Sequence, residues 1–351
     1  MTTGYDVNFD GLGISVYVEP VAFNLFGFDI YWYSILLTLA VFFCMWLAVR
    51  HAKHSGLRQD DIMDVFISIV VFMIIGARLF FVVFSWEQFR YDLMSIFSTR
   101  SGGLAFYGGV MGGLFGIWLV TKLKKIRFSR MTDYLAVYVP LGQAIGRWGN
   151  FFNQEAFGTN TTLPWGMYSE QTNRYLAGLN LAGLDPEKPV HPTFLYEFIG
   201  NLIIFFILLR VRRAAKKPFE VTIWYFLLYG LLRFFVEGIR TDALFIGNTW
   251  LRISQVLSAL MVVAALVILT LFYRKSHMAE ATVSGPEGEE LLPAADLSPV
   301  ATDEAESTEP ESGESEIQPA AAEREPDTDE PDTEASNGEQ PSDADPDHPT
   351  P

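Results

Sequence analysis

The sequence predicts an all-α polytopic membrane protein with seven transmembrane helices and a disordered acidic C-terminal tail. Three observations point there. The composition is 50% hydrophobic and 15% aromatic over 351 residues. Seven apolar stretches approach or reach the roughly 20 residues that cross about 30 Å of hydrocarbon. The charge is also split: residues 280–351 hold 23 acidic residues and one basic residue, Arg324, so a body of net +6 precedes a segment of net −22. That segment is rich in Pro, Ser and Thr and nearly free of aromatics, so it cannot bury enough apolar surface to fold by itself. The expected division is a membrane domain, residues 1–278, and an acidic tail, residues 279–351.

The expected spans are residues 30–49, 62–84, 102–120, 131–145, 193–209, 221–236 and 250–273. The first apolar run is too long for a cleavable signal peptide, and the residues before it are mixed and acidic. The second carries Asp64 near its start and Arg78 deeper. The third is rich in glycine, including Gly108, Gly112 and Gly116 at four-residue spacing, which lets membrane helices approach closely. The fourth is short and interrupted by Pro140, and is expected to run on into the polar residues after Ile145. The fifth opens at His191-Pro192-Thr193, with Tyr196 and Glu197 behind as candidate site-lining residues, though Pro192 and Thr193 also read as a plain helix start.

The connections set an orientation. Arg50, Lys53 and Arg58 follow span one, Lys122, Lys124, Lys125, Arg127 and Arg130 follow span three, and Arg210, Arg212, Arg213, Lys216 and Lys217 follow span five. The alternate connections are poor in cations, so the positive-inside rule puts the N-terminus outside and the C-terminus inside. The polar ends of spans four and six then share the outer face.

Cys44 is the only cysteine, which excludes an internal disulfide and a cysteine-based zinc site; in an apolar run it reads as a small buried hydrophobe. No H-E-x-x-H, Walker A or dinucleotide fingerprint occurs, and no glycine-flanked serine pairs with an embedded histidine. No metal, cofactor or nucleic-acid partner is expected.

Two constellations carry chemistry. In Gly146-Arg147-Trp148-Gly149-Asn150-Phe151-Phe152-Asn153-Gln154-Glu155, the residues Gln143, Arg147, Asn150 and Gln154 fall on one helical stripe, with Glu155 beside it. In span six, Tyr229, Arg233, Glu237 and Arg240 share a face. Embedded ionisable residues usually sit at a working site. A snorkelling arginine or a self-neutralising Arg–Glu pair is the plainer reading of each. Two such stripes at one face suggest an anion site, and a bilayer supplies lipid phosphate. Tyr107, before a Gly-Gly pair, can present its hydroxyl to a cavity.

These residues resemble the prolipoprotein diacylglyceryl transferase family over residues 20–275. The resemblance rests on Trp32-Tyr33, Gly76-Ala77-Arg78-Leu79, residues 103–109, the G-R-x-G-N-F-x-N-x-E-x-x-G pattern of residues 146–158, residues 191–197, and Tyr229-Gly230-x-x-Arg233-Phe234-x-x-Glu237. It implies a seven-span enzyme of the bacterial cytoplasmic membrane with its active site toward the outer leaflet. Such enzymes move the diacylglyceryl group of phosphatidylglycerol onto the lipobox cysteine of a prolipoprotein signal peptide, leaving glycerol 1-phosphate. The resemblance implies catalytic roles for Arg147, Arg233, Tyr107, Glu155 and Glu237. It implies phosphatidylglycerol binding by Arg147, Asn150 and Arg233, with Tyr33, Asn153, Tyr229 and Arg240. Many members carry histidine, with general-base character, where this chain has Tyr107. A phenol of pKa about 10 is a poor base at neutral pH, so either Tyr107 only hydrogen-bonds substrate or another group takes the proton. A lipid or anion transporter is the alternative; it would be expected to show paired broken helices, and only one span is clearly broken.

Overall fold

The computed structural model describes residues 4–98, 102–179, 183–246, 249 and 251–283, so the acidic tail beyond Val283 lies outside the described residues. The chain opens not on a helix but on strands, which corrects the all-α expectation. β1 (Tyr5–Phe9) and β2 (Ile14–Val18) pair antiparallel, and the two-residue strand β5 (Tyr168–Ser169) pairs with the other edge of β1. β3 (Val21–Leu25) and β4 (Phe28–Tyr31) form a separate hairpin. Its two turn residues, Phe26 and Gly27, both have positive φ (50° and 81°), the primed-turn geometry that matches strand twist. Asn24 Oδ1 holds the turn by accepting from the Gly27 N–H at 3.0 Å. These strands are short and only partly buried, so their alternation is weak beside the apolar runs that follow.

The helices are α1 (Trp32–Ala52), α2 (Gln59–Phe84), the short α3 (Trp86–Phe89), α4 (Phe106–Leu123), α5 (Phe128–Ala136), α6 (Val139–Asn153), α7 (Glu170–Leu179), α8 (Thr193–Ala214), α9 (Glu220–Ile239) and α10 (Ile253–Val283). Among the described residues six of them, α1, α2, α4, α8, α9 and α10, are long and apolar enough to cross a membrane. They carry exposed large apolar side chains such as Leu39, Ile67, Phe206, Phe235 and Leu260, the surface of a membrane protein. Trp250, expected to open the last span, lies outside the described residues, and that helix begins at Ile253.

The expected fourth span is two helices, α5 and α6, not one. An unbroken helix would need a bond from the N–H of residue 140 to the carbonyl of Ala136, and Pro140 has no N–H to give. The chain instead turns at Val137 and Tyr138, with Tyr138 N donating to Leu135 O at 2.9 Å, and Pro140 sits in the first turn of α6, where its missing donor is harmless. Past Gly149 the helix continues to Asn153.

Helices α2 and α4 pack backbone to backbone. A Cβ on Gly112 would stand 1.9 Å from the Phe72 carbonyl oxygen, so only glycine permits this approach. Cys44 is buried, its Sγ 3.5 Å from the Tyr138 carbonyl oxygen. The apolar interior forms two principal clusters. One fills the bundle around Ala48, Ile62, Met131, Leu208 and Val221. The other joins the head sheet to the helices through Val7, Val18, Phe151, Met167, Val190 and Phe194. Trp32 stacks on Phe152 at 5.2 Å, so the start of α1, the end of α6 and the start of α8 all meet beneath the sheet. We call this the head end of the bundle, and the opposite one the foot end.

Candidate active site

Three arginines converge on one buried carboxylate at the head end. Glu197 lies on the second turn of α8 and is 1% exposed. Arg147 of α6 places Nη2 2.5 Å from Glu197 Oε2. Arg233 of α9 places Nη1 3.3 Å from Glu197 Oε1, and Arg240, just past α9, places Nη1 3.8 Å from the same oxygen. Each arginine has a second partner. Arg147 Nη1 donates to Asn150 Oδ1 at 3.3 Å, Arg233 Nη2 sits 2.6 Å from Glu237 Oε2, and Arg240 makes a bidentate pair with Asp242 at 2.8 and 2.6 Å. Burial pushes the Asp242 carboxyl up, but the bonds from Arg240 outweigh it and hold the group below the ordinary carboxylate range.

Local sequence explains why these groups meet. Arg147 and Asn150 are three residues apart on α6, and Arg233 and Glu237 four apart on α9, so each pair lies on one face. After Asn153 the helix stops at two left-handed non-glycine residues, Gln154 (φ 50°) and Ala156 (φ 58°). Such residues are uncommon, and here they turn the chain back so that Glu155 Oε1 accepts from Asn150 Nδ2 at 2.8 Å and from Asn153 Nδ2 at 3.3 Å. Arg147, Asn150 and Glu155 thus form one hydrogen-bonded chain. Gln154 leaves the expected stripe: it is buried, and its amide donates to the Phe151 carbonyl at 2.7 Å.

A small backbone clasp closes over the cluster. Residues 157–160 run between the entry of α8 and the exit of α9: Gly158 N donates to His191 O at 2.9 Å, His191 N to Thr159 O at 3.0 Å, and Thr159 N to Ile239 O at 2.7 Å. Arg252, just before α10, donates to the Glu237 carbonyl. Trp165 Nε1 donates to Tyr196 Oη at 2.9 Å, and that hydroxyl lies 3.0 Å from His191 Nδ1. Burial holds the His191 imidazole below its ordinary value.

The structure brings together Arg147, Asn150, Asn153, Glu155, Arg233, Glu237 and Arg240. Tyr33 lies directly over Gly149, where a Cβ would come within 2.5 Å of its ring, so α1 closes on α6 one short step from Arg147. Tyr229 lies one turn before Arg233 and stacks on Tyr225 at 5.6 Å. Tyr107 is not brought in: it is 54% exposed at the start of α4, its ring meets Phe106, and its hydroxyl makes no hydrogen bond among the described residues. Two members of the cluster lie outside the set that sequence spacing assigns to it. Glu197 reads in the sequence only as a site-lining carboxylate at the start of span five. Asp242 has a signal, a carboxylate two residues after an arginine, that a helical-face reading passes over because α9 has already ended.

Chemically, the cluster is a set of guanidinium groups with their carboxylate counter-ions already in place. Arg147 has one hydrogen bond and one ion contact, and its remaining N–H groups have no partner among the described residues. Guanidinium forks with free donors match a phosphate group in a low-dielectric setting.

Comparison with known proteins shows the family. The family model for prolipoprotein diacylglyceryl transferase matches residues 20–271. The phosphatidylglycerol–prolipoprotein diacylglyceryl transferase of Finegoldia magna is 42% identical over 259 residues, covering 74% of this chain and 97% of that protein. The proteins of the same name from Clostridioides difficile and Enterococcus faecalis are 40% identical over 250 residues and 38% over 264, covering 71% and 74% of this chain and 94% and 93% of theirs. The arginine-bearing helices lie inside the matched residues, and on that likeness the chain belongs to the prolipoprotein diacylglyceryl transferase family.

Proposed function

We propose that the chain transfers the diacylglyceryl group of phosphatidylglycerol to the thiol of a prolipoprotein lipobox cysteine. A carbon–sulfur bond forms at the glycerol carbon, the bond from that carbon to the phosphate oxygen breaks, and the electron pair leaves on glycerol 1-phosphate. The observation that carries this reading is the convergence of Arg147, Arg233 and Arg240 on Glu197. In it Arg147 and Arg233 clamp the phosphate and neutralise its growing charge, a contribution worth about 2.7–4 kcal/mol for one preorganised donor. Asn150 and Asn153 orient the headgroup, Tyr33, Tyr229 and Arg240 line it, and Glu197 and Glu237 hold the guanidinium groups in place.

A thiol of pKa about 8.5 must lose its proton before it attacks. Glu237 is buried against Arg233, whereas Glu155 is exposed on the same face, so Glu155 is our choice of acceptor and Tyr107 hydrogen-bonds incoming substrate. The same reading makes α5 and α6 together a seventh crossing, with the N-terminus outside and the residues after α10 inside. The head end then faces the outer leaflet of the cytoplasmic membrane, and residues 279–351 form a separate acidic tail. Support comes from the cation-rich connections, which follow α1, α4 and α8 at the foot end.

The test is to incubate the purified protein in phosphatidylglycerol vesicles with a lipobox peptide. A peptide mass gain equal to one diacylglyceryl group is expected. No gain, or a gain untouched by Arg147→Ala, overturns the proposal.

A further inference from the structure

The foot end holds a cavity of about 1010 Å³ with no part in the chemistry above. Arg50 from the end of α1 and Arg127 and Arg130 from the start of α5 line one side. Arg212 and Arg213 from the end of α8, and Lys216 and Lys217 just after it, line the other. Every one of the head-end arginines Arg147, Arg233 and Arg240 has a carboxylate within 4 Å, yet none of these seven foot-end cations forms an ion pair among the described residues. Asp133 is the one carboxylate in the lining, and its Oδ1 is already taken by the Thr222 N–H and hydroxyl at 2.8 and 2.7 Å.

Helix C-termini favour cations, and cytoplasmic loops collect them, so single basic residues here are unremarkable. Lys217 turns its Nζ to the Phe272 carbonyl oxygen, but neither effect gathers the other six around one cavity, where like charges repel unless an anion enters. Arg212 is moreover fixed. Its guanidinium lies 5.5 Å from the Tyr134 ring centroid and 5.9 Å from that of Tyr138, and Nη1 donates to Tyr138 Oη at 3.3 Å. Leu57, Leu209 and Val221 give the lining an apolar share. Fixed and rim cations above apolar side chains, at the level where helices end, match a phosphate joined to acyl chains rather than a soluble anion.

We propose that this cavity binds the phosphate headgroup of an anionic phospholipid, in a second lipid site at the opposite end of the bundle from the transfer site. The test uses the full chain, purified in detergent, with phosphatidic acid and phosphatidylcholine as probes and native mass spectrometry as readout. Replacing three exposed rim residues together (Arg50→Gln, Arg213→Gln and Lys216→Gln) is expected to weaken phosphatidic acid binding by about tenfold or more. Phosphatidylcholine binding and diacylglyceryl transfer should stay within about twofold. Arg213→Gln alone should act in the same direction by a smaller factor, which keeps the test open if the triple variant does not fold. Unchanged phosphatidic acid binding in a folded variant overturns the site. Inorganic phosphate bound as tightly as the lipid, and lost with the same substitutions, overturns the lipid as its occupant. Failure of transfer in the native protein, with lipid binding intact, counts against the transfer reading alone.

Discussion

Two arginine sites near the head end, one buried and one half-buried, are built on opposite principles. Arg78 of α2 donates from Nε to Ile96 O, from Nη1 to Gly102 O and Gly103 O, and from Nη2 to Ser95 O and Ser98 O, all between 2.7 and 3.1 Å. The rings of Phe81 and Phe89 stand 5.9 and 5.1 Å from its guanidinium carbon. A guanidinium has five N–H donors, and here all are used on backbone carbonyls, so this arginine staples the loop before α4 and has nothing left for a ligand. Arg147 and Arg233 instead lean on carboxylates and one amide, with donors to spare. A carbonyl partner is neutral and fixed by the fold, whereas a carboxylate can give way to another anion. Neither site is freely exposed; the kind of partner separates an arginine with every donor spent from one with donors to spare.

The comparison can be attacked directly. Arg147→Ala is expected to lower transfer by about a thousandfold with the unfolding midpoint nearly unchanged, measured on the lipobox peptide and by thermal unfolding. An equal loss of stability would place Arg147 with Arg78. Next, Glu197→Gln removes the common anion from three guanidinium groups, and about 3 kcal/mol of stability should go with it, seen as a lower unfolding midpoint. Arg78→Lys keeps the charge and loses the fork; we expect about 2 kcal/mol of destabilisation and a transfer loss no larger than the loss of folded protein. A silent midpoint with abolished transfer would break the contrast.

Smaller effects test its edges. Tyr107→Phe should reduce transfer by less than about tenfold if the hydroxyl only hydrogen-bonds substrate; complete loss would make Tyr107 part of the proton path. His191 belongs to the clasp, and its folded pKa is depressed. Its contribution is therefore complete above the unfolded value of about 6.5 and is lost as pH falls through that value toward the folded one. The native midpoint should drop further than that of His191→Gln when the pH is lowered from about 7.5 to about 5.5.

Much of this is legible in the chain. Apolar run length gives six of the helices, and three- and four-residue spacing alone puts Arg147 with Asn150 and Arg233 with Glu237. The break between α5 and α6 is only half visible, because Pro140 signals an interruption without saying whether the chain bends or restarts. The head strands are hidden by their brevity. Glu197 cannot be recognised as the hub, because its importance lies in contacts from α6 and α9, which no local pattern encodes. Tyr107 shows the converse: its place in the sequence motif suggests a partner that the described residues do not supply.

The cluster also has a field, or rather lacks one. Arg147, Arg233, Arg240 and Arg252 stand against Glu155, Glu197, Glu237 and Asp242, four charges against four. A balanced set casts little potential beyond its own width, so it exerts no long-range steering on a distant anion. On the proposed reading recognition is a contact event: a headgroup reaches the site by lateral diffusion and is tested only when it meets the unused guanidinium donors. Arrival should then be insensitive to ionic strength, and selectivity should reside in how well each headgroup fits the donors that Glu197 holds in place.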